Sequence, residues 1–212
     1  MTLGRRNRAP RPAPPLPPHA AGMRIGLLGG SFDPAHAAHR MISLAALRRL
    51  GLDAVWWLVT PGNPLKNTTG LPAAARRAEA ARLVAGHPRI RVTTVEEAMG
   101  TRFTRDTLVL LKRRCPGVRF VWLMGSDNLA GFHRWKRWTD ILGMMPVAVF
   151  DRPGSTLKAP ATRAAGRFGR FRLPEDVGRG MPRLRAPAWA LFHGPRSALS
   201  STAIRAKNPS GH

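Results

Sequence analysis

Cysteine is almost absent from this chain: Cys115 is the only one in 212 residues. A single thiol excludes an internal disulfide framework and a cysteine-built zinc cluster. No run approaches the ~18 consecutive apolar residues of a membrane span. No apolar h-region of a secretory signal precedes the folded part either, so the expected location is the cytoplasm. Both common nucleotide fingerprints, G-x-G-x-x-G and G-x-x-x-x-G-K-[ST], are missing, which argues against a nicotinamide-dependent dehydrogenase and a P-loop ATPase. No carboxylate cluster able to cage a metal is evident, and no protein-built metal site is expected. Acidic residues are scarce, 11 against 35 Lys and Arg, for a formal net charge of +24. Lysine is scarce too: Lys66, Lys112, Lys136, Lys158 and Lys207 are the only five, so arginine supplies the other 30. With so much Ala, Gly and Pro, this excess reads as compositional bias. It is spread along the chain as a basic solvated surface, and nucleic acid is not the expected partner.

What is present is organised around Met23–Arg40, MRIGLLGGSFDPAHAAHR. Met23–Leu28 is a short apolar run suited to a strand buried on both faces. Gly29 and Gly30 follow, and glycine permits a sharp turn and close approach to a ligand. Pro34 suits a place at or near the first turn of the helix that comes next. His36 and His39, three apart, share one face near its N-terminus. Free N–H groups and the positive end of the helix dipole collect there. Such a pair also occurs as metal ligands or plain surface residues. The glycine turn before them favours a phosphate site that stabilises charge in a transition state.

Before this stretch, residues 1–22 carry six prolines and four arginines and are expected to be a leader without packed structure. After it, the helix continues to Leu50 with Met41, Leu44, Ala45 and Leu47 on its apolar face, Arg48 and Arg49 in water, and Gly51 as its stop. Ala54–Val59 is a second buried strand, which completes a βαβ unit and predicts parallel pairing. Ala73–Ala85 is helical, Ile90–Val95 a third strand, and Thr104 a candidate N-cap of the next helix, with Leu108, Leu111 and Cys115 in its core. Val118–Met124, Pro146–Phe150 and Ala188–Phe192 are further strands; residues 167–188 show no clear period. The whole predicts a Rossmann-like α/β domain over 23–207, a mainly parallel sheet with helices on both faces, and a short tail at 208–212.

Ligands in such sheets collect at the carboxyl ends of the strands. Lys66, in the loop TPGNPLK after the second strand, could serve as a point charge for phosphate. Asp127, just past the fourth, could bond ribose hydroxyls or simply cap a helix. Trp135 offers a flat face for stacking, whereas Trp138 reads as core. Near the end, LSSTAIR places Ser200 or Ser201 at a helix N-terminus, with Arg205 one turn on and able to grip phosphate bidentately.

Together these segments resemble the nicotinate-nucleotide adenylyltransferase family of the nucleotidyltransferase superfamily. The resemblance lies in GGSFDPAHAAH, NPLK, TRDTL, GSDNLAGFHRW and SSTAIR, in that order. One departure is plain: Ala38 stands where the family has glycine. Only seven residues follow Arg205, where relatives usually continue for a further helix or two. The resemblance implies adenylyl transfer from ATP, accompanied by Mg²⁺, to nicotinate mononucleotide, giving nicotinate adenine dinucleotide and pyrophosphate. It implies that His36 and His39 are catalytic. Gly29, Gly30, Ser31, Phe32, Asp127, Ser200, Ser201 and Arg205 would join them in holding ATP. Lys66, Thr104, Thr107 and Trp135 would hold the acceptor. Two alternatives stay open: a sister adenylyl- or cytidylyltransferase with another phosphate acceptor, and a non-catalytic RNA-associated protein of the same fold. Oligomeric state is not legible.

Overall fold

The computed structural model describes residues 14–62, 69–151 and 162–194. Seven strands form one sheet in the order β3-β2-β1-β4-β5-β7-β6, and every pair in it is parallel. They are β1 (Arg24–Gly30), β2 (Ala54–Val59), β3 (Ile90–Thr93), β4 (Arg119–Gly125), β5 (Val147–Phe150), β6 (Arg172–Leu173) and β7 (Trp189–Phe192). The helices that position the site are α1 (Ala37–Arg49), α2 (Ala74–Ala85), α3 (Val95–Ala98), α4 (Thr104–Arg114) and α5 (Ser126–Gly131). Two more among the described residues, α6 (Trp138–Met144) and α7 (Arg163–Arg167), belong to the outer layer.

Alternation along the strands builds two cores, one on each face of the sheet. Trp56 and Trp57 are adjacent on β2, both fully buried, and point into opposite cores. Trp56 joins Leu108 and Leu111 of α4 and Ile141 of α6. Trp57 joins Ile42 and Ala46 of α1 and Ala78 and Ala81 of α2. Helices therefore cover both faces, as the apolar strand runs require. No helix of the described residues is long and apolar enough to cross a membrane.

Several local expectations change. Residues 14–22 are not free of packing. Arg114 donates to the Pro14 carbonyl at 2.7 Å, Leu16 packs on the core and the His19 ring meets Trp56 edge-on at 5.7 Å. Proline bars this segment from a ladder but not from laying apolar side chains over the sheet. Helix α1 buries Ile42 and Ser43 beside Ala45 and Leu47, Leu44 packs partly buried against the same core, and Met41 stays half-buried. Arg49 is not left in water: it pairs with Glu175 at 3.2 Å, and its guanidinium lies 5.0 Å from the Phe192 ring centre. The unreadable stretch before β7 is a two-residue strand and a 3-10 segment over Glu175–Arg183, too short for any period.

Candidate active site

From β1 the chain builds β2 and β3 on one side, then crosses to β4 on the other. Strand order reverses between β1 and β4, and the crevice past their carboxyl ends is where an open α/β sheet takes its ligand. Gly29 and Gly30 end β1, in register with Leu58 and Val59 of β2. They are therefore extended and do not make the turn themselves. Gly29 is required by close packing: a Cβ there would lie 2.7 Å from Cη2 of Trp122 on β4. The left-handed turn comes at Phe32, φ 48°, whose buried ring stacks on Trp57 at 4.9 Å. That stack fixes the route of Ser31 and Asp33 across the crevice.

His36 is the N-cap of α1, and Pro34 lies two residues before it, near the first turn as expected. His39, in that first turn, brings its ring 3.9 Å from that of His36 and 4.7 Å from that of Phe32. The His36 backbone N–H donates to His39 Nδ1 at 3.2 Å. An accepting Nδ1 requires the neutral tautomer with its proton on Nε2, so His39 presents Nε2–H as a donor. Behind it the Trp57 indole donates to Ser43 Oγ at 2.7 Å, and Ser43 donates to the His39 carbonyl at 2.8 Å. The first turn of α1 is thus tied to β2 through a buried relay. The positive end of its dipole favours an anion.

Ala38 lies inside α1, buried, with no left-handed φ, so the backbone here does not need glycine. Ala38→Gly is expected to keep turnover and to lose about 1 kcal/mol of stability, the helix penalty of glycine. Urea unfolding beside an activity assay checks both halves.

Two charged residues not singled out from the sequence tie the crevice loops together. Arg77 of α2 is 3% exposed. Its guanidinium donates to the carbonyls of Pro72 at 2.7 Å, of Thr60 at 2.9 Å and of Ser31. It pins the loop after β1 to the end of β2. Burial lowers its pKa, while the charges of Asp33 and Glu97 raise it. Glu96 of α3 is also buried, and burial pushes its carboxyl up to about 7 against the pull of bonds from the Thr107 and Thr60 hydroxyls. A single Arg in an alanine-rich helix and a Glu in a four-residue helix carry no pattern. Only the three-dimensional arrangement reveals them.

On the far side, Thr104 opens α4 and is half-buried, but Phe103 and not Thr104 is the N-cap. Thr107 is fully buried and donates to Thr101 Oγ1 at 2.8 Å. Its hydroxyl is engaged within the fold. Asp127 is exposed in the first turn of α5, directly past β4. Trp135 is half-buried, edge-on to Phe132 at 5.2 Å and to Trp122 at 6.1 Å. The same Trp122 covers Gly29, so the aromatic segment and the glycine turn share one support. Arg105 reaches Asp140 at 3.4 Å and Lys136 lies 4.2 Å from the Phe103 ring centre, which joins the α4 entrance to the Trp135 segment. Lys66, Ser200, Ser201 and Arg205 lie outside the described residues. Among the described residues no three His, Cys, Asp or Glu side chains gather as a metal cage requires.

The cytidylyltransferase-like family model matches residues 27–207. A Methylorubrum extorquens protein named "Probable nicotinate-nucleotide adenylyltransferase" is 57% identical over 185 residues, 87% of this chain and 100% of that relative. A Bradyrhizobium protein of the same name is 56% identical over 190 residues, 89% of this chain and 97% of its own. Among solved structures, the nicotinic acid mononucleotide adenylyltransferase of Plasmodium falciparum complexed with NaAD superposes with a TM-score of 0.65 at 17% identity. The match covers 87% of this chain and 83% of that one. At that identity the likeness concerns the fold.

Proposed function

This chain belongs to the cytidylyltransferase-like family, among its nicotinate-nucleotide adenylyltransferases, and from that premise we propose how its residues carry out the family reaction. The protein is an enzyme that transfers the adenylyl group of ATP to nicotinate mononucleotide, giving nicotinate adenine dinucleotide and pyrophosphate. An oxygen of the mononucleotide phosphate attacks the α-phosphorus of ATP. The bond to the β-phosphate oxygen breaks, and pyrophosphate leaves with that electron pair. No covalent enzyme intermediate is needed, so catalysis rests on alignment and charge stabilisation.

The observation that supports this best is the His36–His39 pair at the N-terminus of α1, beside the β1–β4 crevice. His39 Nε2–H and His36 donate to the phosphate oxygens that gain charge at the α-phosphorus. The N–H groups of the first helical turn add their dipole. Gly29, Gly30, Ser31 and Phe32 give ATP a close-fitting backbone wall, and Asp127 takes its ribose. Ser200, Ser201 and Arg205 hold the leaving pyrophosphate, Lys66 the attacking phosphate. Trp135 stacks on the pyridine ring beside Thr104. We leave Thr107 out of direct contact because of its burial. Mg²⁺ enters with ATP as part of the substrate and neutralises phosphate charge. The same proposal places the activity in the cytoplasm, where ATP is supplied.

Pyrophosphate release from MgATP tests the reading, with nicotinate mononucleotide, nicotinamide mononucleotide and phosphopantetheine as parallel acceptors. Release with the first and little with the others is expected. Release with phosphopantetheine alone would move the substrate; none from any of them, by folded protein, would overturn the enzymatic reading.

A further inference from the structure

His39 and the loop before its helix lean on one residue that is walled off from any substrate. Trp57 is fully buried on β2. Its position is laddered on both sides, opposite Leu28 of β1 and Val92 of β3. A side chain on such a backbone is a fixed reference. Two contacts run from it toward the crevice. Its ring stacks on Phe32, centroids 4.9 Å apart and planes 12° apart, and Phe32 is the left-handed residue of the loop after β1. Its indole N–H donates to Ser43 Oγ at 2.7 Å, and Ser43 donates to the His39 carbonyl at 2.8 Å.

The direction of that relay is forced. An indole nitrogen donates and cannot accept, so it takes a lone pair of Ser43 and leaves the single hydroxyl proton for the carbonyl. Ser43 is fully buried, so bulk water does not replace either partner. Linked hydrogen bonds of this kind strengthen one another. The His39 ring also lies 4.7 Å from that of Phe32 and 5.9 Å from that of Trp57. Backbone and ring of His39 are thus both referenced to the same indole.

The neighbouring residue supplies the contrast. Trp56 is equally buried on the same strand and points into the opposite core, where its Nε1 has no hydrogen-bond partner among the described residues. Burying a tryptophan here therefore does not require a bond to its N–H. We propose that Trp57 is a positioning residue for His39: its N–H, through Ser43, sets where the first turn of α1 holds the imidazole, and its ring sets the Phe32 loop beside it. The effect on rate rests on the function proposed above; the positioning itself does not.

Three full-length variants test this. Trp57→Phe keeps an aromatic face for Phe32 and deletes the N–H; Ser43→Ala deletes the same bond from its other end. Each is expected to lower kcat about fivefold, the scale of one neutral hydrogen bond, and to change KM for ATP and for nicotinate mononucleotide much less. Combined, they should be about as slow as either alone, because both remove one bond. Trp56→Phe deletes the same atoms one residue away and should keep the native kcat. The ring ¹⁵N signals of His39, read without substrate, report its tautomer. Trp57→Phe and Ser43→Ala should move them toward a mixture as the His36 N–H loosens from Nδ1; Trp56→Phe should not. Where Trp57→Phe folds poorly, Ser43→Ala set against Trp56→Phe carries the comparison. Moved His39 signals with no turnover by the native protein would sink the proposed function and keep the positioning role. Unmoved signals in both relay variants would overturn that role. So would losses that multiply in the double variant, or a Trp56→Phe protein as impaired as Trp57→Phe.

Discussion

Replacing His39 with alanine is expected to lower kcat by on the order of 10²-fold or more, the scale of a lost charge-stabilising donor. The fold should survive the change. Alanine is the best helix former, and the variant gives up ring contacts with His36, Phe32 and Trp57 and the acceptor for the His36 N–H, about 1–2 kcal/mol together. The proposed loss lies in the transition state. The N–H that His39 accepts at Nδ1 directs its Nε2–H toward the crevice as a donor. Its backbone is fixed through Ser43 and Trp57, which leaves little reorganisation for the moment of reaction. Single-turnover pyrophosphate release at saturating ATP and acceptor reads this directly. A larger fall in kcat than in affinity is the expected signature. Near-normal turnover in a folded His39→Ala protein would remove the histidine pair from the mechanism.

The parts of this site that could be read from the sequence are those with a local pattern. The apolar runs of β1, β2, β4, β5 and β7 announced a buried parallel sheet, and two histidines three apart announced one face of a helix end. The structure brings the two rings to 3.9 Å with His36 as the N-cap and His39 in the first turn. What could not be read depends on neighbours distant in sequence. Gly29 looked like a turn residue, but its reason is the Trp122 ring on a strand that begins almost ninety residues later. Thr107 matched a binding motif and yet faces inward, because only the packing of α4 decides which side of that helix meets the sheet. Arg77 and Glu96 were invisible because nothing local distinguishes a buried ion from a solvated one. Residues 14–22 showed the reverse error. Proline content argued for a leader without packed structure, but proline does not bar a segment from docking.

Arg77→Met is expected to do the largest damage to stability. The methionine fills much of the same volume but donates nothing, and the carbonyls of Ser31, Thr60 and Pro72 would lose the donor they share. Buried hydrogen bonds from a charged donor and the loss of its compensating charge near Asp33 together put the cost at about 3–5 kcal/mol. For a chain of this length that is a fall of roughly 10 °C in Tm, read by thermal unfolding. Arg77→Lys separates charge from geometry. An ammonium keeps the positive charge but cannot reach three carbonyls in different directions as the planar guanidinium does. If the charge alone matters, Lys should restore most of the stability. If the fork matters, Lys should recover only a minor part, and the geometry favours this outcome. Activity measured well below both midpoints then adds a second readout. Ser31 and Thr60 open the neighbouring loops that follow β1 and β2, and one side chain holds both. Loosening it should lower kcat even in molecules that remain folded, because the proposed mechanism has no reactive group to fall back on and works only through alignment. A folded Arg77→Met protein with native kcat would show that the loops hold their places without it, and that the guanidinium serves stability alone.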